Sequence, residues 1–273
     1  MALLPGEVSL GESLAQWTSL RVGGPADAFV RIESRAALAR FSTFARTRAL
    51  PVLWLGGGFN LLVRDGGVRA EAGASHTSVT RFCAENGRAG LEFAVGIPGT
   101  VGGWIAMNAG TREREMKEVV AEVELFDPEA QAFRTLERSE LRFAYRHVEL
   151  PGGAVVVAAS FATEADAPER IRERQQRGMA RRRATQPVDQ PSCGSVFVNP
   201  PGDFAGRLIE AAGLKGARAG GAMISELHAN FIVNTGGARA ADVLALIERA
   251  RAAVRAQSGV ALETEVRIAG EDP

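Results

Sequence analysis

Two cysteines, three histidines and one tyrosine are all that 273 residues provide of these types. Cys83 and Cys193 cannot make a disulfide framework. His76, His147 and His228 show no metal-ligand spacing, and neither CxxC nor HExxH occurs, so no metal centre is expected. A formal net charge of +0 gives no general field for nucleic acid or an anionic membrane. No apolar run approaches the ~18 residues of a membrane-spanning helix. The start, Met1-Ala2-Leu3-Leu4-Pro5-Gly6-Glu7, has neither the charged region nor the long apolar region of a secretory signal. These absences predict a cytoplasmic, metal-free protein. Hydrophobic content of 46% with 23% charged residues is that of a globular chain, long enough for two domains.

What the chain does have is glycine, concentrated in two loops. Gly56-Gly57-Gly58-Phe59-Asn60 follows the apolar run Val52–Leu55. Gly96-Ile97-Pro98-Gly99-Thr100-Val101-Gly102-Gly103 comes some forty residues later, with Asn108-Ala109-Gly110 close behind. Glycine admits positive φ and close approach of backbone to ligand, so such loops can line a diphosphate. Neither fits the common templates. The position of the third glycine in a Rossmann fingerprint holds Leu61, and no GxxxxGK[ST] occurs. Pro98, rigid between permissive glycines, marks a specified path. From the residues alone, the loops either cradle phosphate in another way or are turns.

Along the chain, Thr18–Asp27 reads as a strand into a turn and Ala28–Ile32 as a second strand. Ser34 caps a helix to about Arg48, and Pro51–Leu55 is the strand that delivers the first glycine loop. Leu61–Val63 and Val68–Gly73 form a hairpin around Asp65-Gly66. Further on, Ser78–Asn86 reads as helix, and Val119–Asp127 and Ala154–Phe161 as strands. Pro168–Arg183 is a strongly basic helix, better read as a solvated linker than as a nucleic-acid element in a neutral chain. Helices are expected near Ala205–Ala212, stopped by Gly213, and over Ala240–Gln257, stopped by Gly259. A closing strand over Val260–Ile268 alternates cleanly. Strand alternation would also put Ser195, Phe197 and Asn199 on one face.

Single residues say little by themselves. Ser195 lacks a nearby His–Asp pair, Glu265 suits a solvated strand face, Arg146 is one arginine among many, and His228 suits a half-buried site. Cys193 has no visible environment that would activate a thiol. Bottom-up reading stops at a nucleotide-cofactor protein.

The ordered motifs carry a resemblance further. Gly56–Asn60, Gly96–Gly103 and Asn108-Ala109-Gly110, then Tyr145-Arg146, then Gly194-Ser195-Val196-Phe197-Val198-Asn199-Pro200, Ala205–Gly216 and Ser225–Asn234 resemble the UDP-N-acetylenolpyruvoylglucosamine reductase family over nearly the whole chain. The resemblance implies an α+β fold: an FAD-binding domain of the vanillyl-alcohol-oxidase/PCMH type, with two α/β subdomains, over 1–165, and a linker helix over 166–190. A smaller α+β substrate domain over 191–260 and a C-terminal strand over 261–273 returning to the active site complete it. Noncovalent FAD is implied at Gly56, Gly57, Gly58, Phe59, Asn60 and Leu61, at Gly96, Ile97, Pro98, Gly99, Thr100, Gly102 and Gly103, and at Asn108, Ala109 and Gly110. Arg146, Ser195 and Glu265 look like the family's catalytic residues, and Tyr145, Asn199, His228 and Asn230 like substrate contacts. Val198 stands where many members have lysine, and His147-Val148-Glu149 where many have a serine. The stretch around Arg64–Arg69 looks about two dozen residues short; either the flavin domain is trimmed or a flexible segment is missing from this sequence. With Tyr145 the sole tyrosine, the chain resembles the shorter subtype without a tyrosine lid. The implied chemistry is NADPH-dependent reduction of an enolpyruvyl ether through FAD, with proton delivery from Ser195. NADPH and substrate would share one pocket of a monomer, since no second dinucleotide fold is visible.

Overall fold

The computed structural model describes residues 7–13, 25–32, 34–48, 50, 52, 61–64 and 67–268. Contacts divide the chain into two compact units, Met1–Val8 with Val30–Ala180, and Ser9–Phe29 with Arg181–Pro273. Strands β1 (Glu7–Ser13) and β2 (Pro25–Arg31) pair as a two-stranded sheet. The strand expected over Thr18–Asp27 lies mostly outside the described residues, and β2 starts only at its end.

In the first unit, helix α1 (Arg35–Thr47) is capped by Ser34, whose hydroxyl accepts from the Ala37 N–H at 3.1 Å. Strands β3 (Leu61–Arg64) and β4 (Gly67–Glu71) pair antiparallel with Arg64 opposite Gly67, the hairpin that Asp-Gly signals. Helix α2 (His76–Glu85) starts at a Ser75 cap, two residues earlier than its periodicity suggests. Then come β5 (Arg88–Ala89), the short helix α3 (Val101–Ala106), β6 (Val120–Asp127), β7 (Ala132–Glu137), β8 (Arg142–Ala144), β9 (His147–Glu149), β10 (Val155–Ala162) and β11 (Glu164–Ala165). The main sheet runs β3-β4-β10-β6-β7, antiparallel throughout.

β10, at the centre, buries both its faces. Val156, Ala159 and Phe161 join a core with Val79, Trp104, Ile105 and Val123, while Val157 packs with Leu38 of α1 and Phe126. Helices therefore cover both faces of the sheet. On the α1 side, buried Glu124 takes hydrogen bonds from Arg69 and from Arg35 (2.9 Å), which also reaches Glu71. A carboxylate at that depth persists only when paired, and two guanidiniums pair it.

Helix α4 (Pro168–Thr185) is basic but not merely solvated. Ile171 is fully buried, Arg174 pairs with Glu92 and Asp166 at 2.7 Å each, and the Gln175 amide donates to the Thr80 carbonyl. Its amphipathic stripe is one isoleucine wide, which hides the packing from sequence periodicity. The division between units falls inside this helix, after Ala180.

The second unit carries β12 (Ser192–Ser195), α5 (Ala205–Ala211), β13 (Arg218–Ala219), β14 (Ala222–Ile224), β15 (Phe231–Asn234) and α6 (Ala240–Ser258). Its sheet runs β12-β15-β14-β13. Val243, Leu246, Ile247, Ala250 and Val254 of α6 are buried at helical spacing, and Gly259 ends the helix at φ +74°. The closing strand does not form among the described residues. Instead 260–268 makes one antiparallel bridge, Thr264 to Phe197, and Ile268 is exposed. Alternation gave the segment strand character, yet only residues 196–198 run alongside to receive its hydrogen bonds.

Candidate functional site

The second glycine loop is held from behind and open in front. The Val101 and Gly102 N–H groups donate to Ala74 (3.0 Å) and Ala72 (2.7 Å), and His76 N–H donates to Gly99 (3.2 Å). The buried Trp104 indole N–H latches the Ile97 carbonyl at 3.3 Å. Gly102 sits tightly against β4's end, where a Cβ would lie 3.0 Å from that of Ala72. Pro98, Gly99 and Gly103 are exposed. Gly99 has φ +107°, and a Cβ there would meet nothing within 4 Å. Backbone anchored on one side with a bare face on the other fits a cofactor diphosphate. Ile97 belongs to the core, and Leu61 lies in β3 opposite Ala70. The first loop, Gly56–Asn60, lies outside the described residues.

Asn108 is fully buried at φ +42°. Its amide N–H groups donate to Glu115 Oε2 (3.0 Å) and the Ala144 carbonyl (2.9 Å), and its Oδ1 accepts from the Lys117 N–H (3.0 Å). The side chain thus serves the loop, tying Asn108-Ala109-Gly110 to the end of β8. A Cβ on Gly110 would lie 2.5 Å from the Arg114 carbonyl oxygen, so glycine alone fits.

β8 and β9 pair with Ala144 opposite His147, leaving Tyr145-Arg146 as a two-residue hairpin tip. Such tips favour Gly, Asn or Asp at positive φ. Here Arg146 takes φ +55°, a strained conformation for a residue with a side chain. Its guanidinium lies 4.8 Å from the Tyr145 ring centroid, 3.6 Å from Glu115 Oε1 and 3.5 Å from the Gly110 carbonyl.

In the second unit, β12 carries an irregularity between Ser192 and Ser195, with Gly194 at φ +84°. The chain bends at Val196, and both Val196 and Phe197 are buried. The single face expected for Ser195, Phe197 and Asn199 is therefore broken. What the bend achieves is proximity: the Val196 carbonyl accepts from the Glu265 N–H at 2.8 Å, and Val198 N–H donates to Glu263 at 2.9 Å. Glu265 thus lies beside the residue following Ser195, though seventy positions away in sequence. Burial pushes the Cys193 thiol up to about 11, and the Glu265 charge adds to it, so the protonated thiol is favoured over the thiolate.

Three expected substrate contacts have structural duties. Asn199 Oδ1 accepts from the Ala205 N–H at the start of α5 (3.0 Å). Asn230, buried, pairs with both backbone groups of Phe197 at 2.9 and 2.8 Å, as a strand would. His228 Nδ1 accepts from the Asn230 N–H (3.2 Å), its ring meets Phe231 edge-on, and a Cβ on Gly206 would lie 3.1 Å from it. Arg146 belongs to the first unit; Ser195 and Glu265 belong to the second. Sequence reasoning missed Glu115 and Trp104, which lie outside the motifs although their partners Asn108, Arg146 and Ile97 lie within them.

Fold and site together define a flavin-binding oxidoreductase of the PCMH type with an added C-terminal domain. A family model for an FAD binding domain matches residues 63–135. A second, for the C-terminal domain of UDP-N-acetylenolpyruvoylglucosamine reductase, matches 186–269. Proteins of that name from Anaeromyxobacter sp. (strain Fw109-5) and Moorella thermoacetica are 45% and 44% identical, over 97% of this chain and 90% and 94% of theirs. The crystal structure of UDP-N-acetylenolpyruvylglucosamine reductase (MurB) from Thermus caldophilus superposes with a TM-score of 0.77 at 35% identity, covering 96% of this chain and 97% of that one. The chain belongs to the UDP-N-acetylenolpyruvoylglucosamine reductase family. One alignment takes in the whole of this chain yet runs over 293 positions, so that relative, from Geotalea uraniireducens, carries segments absent here.

Proposed function

We propose that this protein reduces UDP-N-acetylglucosamine enolpyruvate to UDP-N-acetylmuramate in the cytoplasm, supplying peptidoglycan synthesis, with NADPH as reductant. FAD would be held noncovalently along Gly96–Gly103, with Gly56–Asn60 as the second loop the family resemblance assigns to it, and would supply the hydride relay between NADPH and C3 of the enolpyruvyl ether. The first unit holds the cofactor and the second the substrate. The observation carrying this reading is the pairing of Glu265 with the Ser195 strand, within a family match that spans both units.

Hydride arriving at C3 pushes an electron pair onto C2 and the neighbouring carboxylate. Arg146 offers a fixed positive charge to that developing anion. Ser195 gives its hydroxyl proton to C2, whose carbanion character makes even an ordinary hydroxyl a sufficient acid, and regains a proton from solvent. Glu265 orients and polarises this step. Tyr145, beside Arg146, faces the substrate's polar groups.

The test separates the half-reactions under anaerobic conditions. In Ser195→Ala, bleaching of the flavin by NADPH is expected within a few-fold of wild type. Reoxidation by the enolpyruvyl substrate should slow ~10²-fold or more, the usual cost of losing a positioned acid. Equal slowing of both halves refutes the acid role, and a colourless protein refutes the cofactor.

A further inference from the structure

Glu115 belongs to none of the motifs above, yet it is the centre of the polar cluster in the first unit. Its carboxylate is only 15% exposed. Oε2 accepts from the Asn108 amide at 3.0 Å and faces the Lys117 ammonium at 2.7 Å; Oε1 faces Arg146 Nη1 at 3.6 Å. The backbone beneath it is fixed separately. The Glu115 N–H donates to Glu118 Oε1 (2.8 Å), Met116 N–H donates to Ala109 (2.9 Å), and Gly110 packs so closely that a Cβ would lie 2.7 Å from Glu115 Cα. The carboxylate has little room to swing.

We propose that Glu115 is the positioning residue for Arg146 in the reduction, and that one carboxylate holds both the arginine and the glycine loop at Asn108-Ala109-Gly110. This rests on the reading of Arg146 as the group that stabilises the developing anion. At 3.6 Å the contact is an ion pair longer than a charge-assisted hydrogen bond, so Glu115 sets the place of the guanidinium by charge. A long side chain on a strained hairpin tip otherwise has many rotamers, and misplacement of about 1 Å can cost ~10²-fold in rate.

Glu115→Gln in the full-length holoenzyme tests this. The amide oxygen can keep Asn108 and Lys117, but its NH₂ then turns toward the guanidinium donors, so attraction becomes repulsion at constant size. Flavin content, flavin bleaching by NADPH and the substrate dissociation constant from flavin absorbance should stay within a few-fold of wild type. Reoxidation by substrate should slow roughly 10- to 100-fold. In an Arg146→Lys background the same change should have almost no further effect, because residues acting through one another are not additive. Additive slowing, equal slowing of both half-reactions, or loss of flavin overturns the proposal and leaves Glu115 a scaffold residue. If Arg146→Lys alone reoxidises at the wild-type rate, the reading of Arg146 itself falls. If Arg146→Lys is slow but Glu115→Gln is not, only the positioning role falls.

Discussion

Arg146, to which the proposed function gives a catalytic role, works against its own backbone. At φ +55° an L side chain crowds its carbonyl, at a cost of about 1 kcal/mol or more that glycine avoids. Arg146→Gly should therefore unfold at higher urea than Arg146→Ala, by roughly 1 kcal/mol with an unchanged slope, while both lose turnover. Equal midpoints would show that the tip relaxes and carries no strain. His228 gives a second residue-scale test. Burial holds its imidazole below the ordinary value of 6.5, so the fold favours the neutral ring. The unfolded chain takes up the proton first on acidification. The stability His228 contributes is thus full above 6.5 and is lost as pH falls through the lower, folded value. An NMR titration should place its midpoint below 6.5, and His228→Asn should flatten that part of the pH–stability curve. A midpoint at or above the ordinary value contradicts the sign.

At the scale of elements, what was legible in the sequence is what local chemistry dictates. Ser34 announces α1, Gly259 ends α6, and β3 pairs with β4 in the register that an Asp-Gly signal predicts, because caps and turns need only their neighbours. Illegible were the bend at Val196, the failed strand at 260–268 and the packed half of α4, each decided by a distant partner. Asn230 is the clearest of these. It stands in for a missing strand neighbour by satisfying both backbone groups of buried Phe197, and so supports the bend at which Glu265 bonds to Val196. Asn230→Ala leaves a buried N–H and C=O unpaired, at about 1–3 kcal/mol each. Chemical denaturation should show a loss of roughly 2–5 kcal/mol, and Asn230→Asp should be no milder because its second oxygen faces the Phe197 carbonyl. A loss under about 1 kcal/mol would mean that the segment finds other partners or water.

For the whole molecule, the three residues read as catalytic divide between units that the chain builds from different stretches, Arg146 in one and Ser195 with Glu265 in the other. Motif order singled out all three as candidates, but no periodicity could have assigned residues 9–29 to the second unit. The same division bears on kinetics. The proposed function assigns the flavin to the glycine loops, and neither a Rossmann fingerprint nor a Walker loop occurs elsewhere in the sequence to hold NADPH as a separate dinucleotide. Under the proposed function NADPH delivers hydride from the place the enolpyruvyl substrate later takes, and leaves before it binds. Initial rates with both substrates varied should give parallel double-reciprocal lines, because no complex contains both. Each substrate at high concentration should inhibit competitively against the other, the mark of one pocket used in turn. Intersecting lines would mean that a ternary complex forms, and NADPH would then need a second binding surface that the glycine loops do not supply.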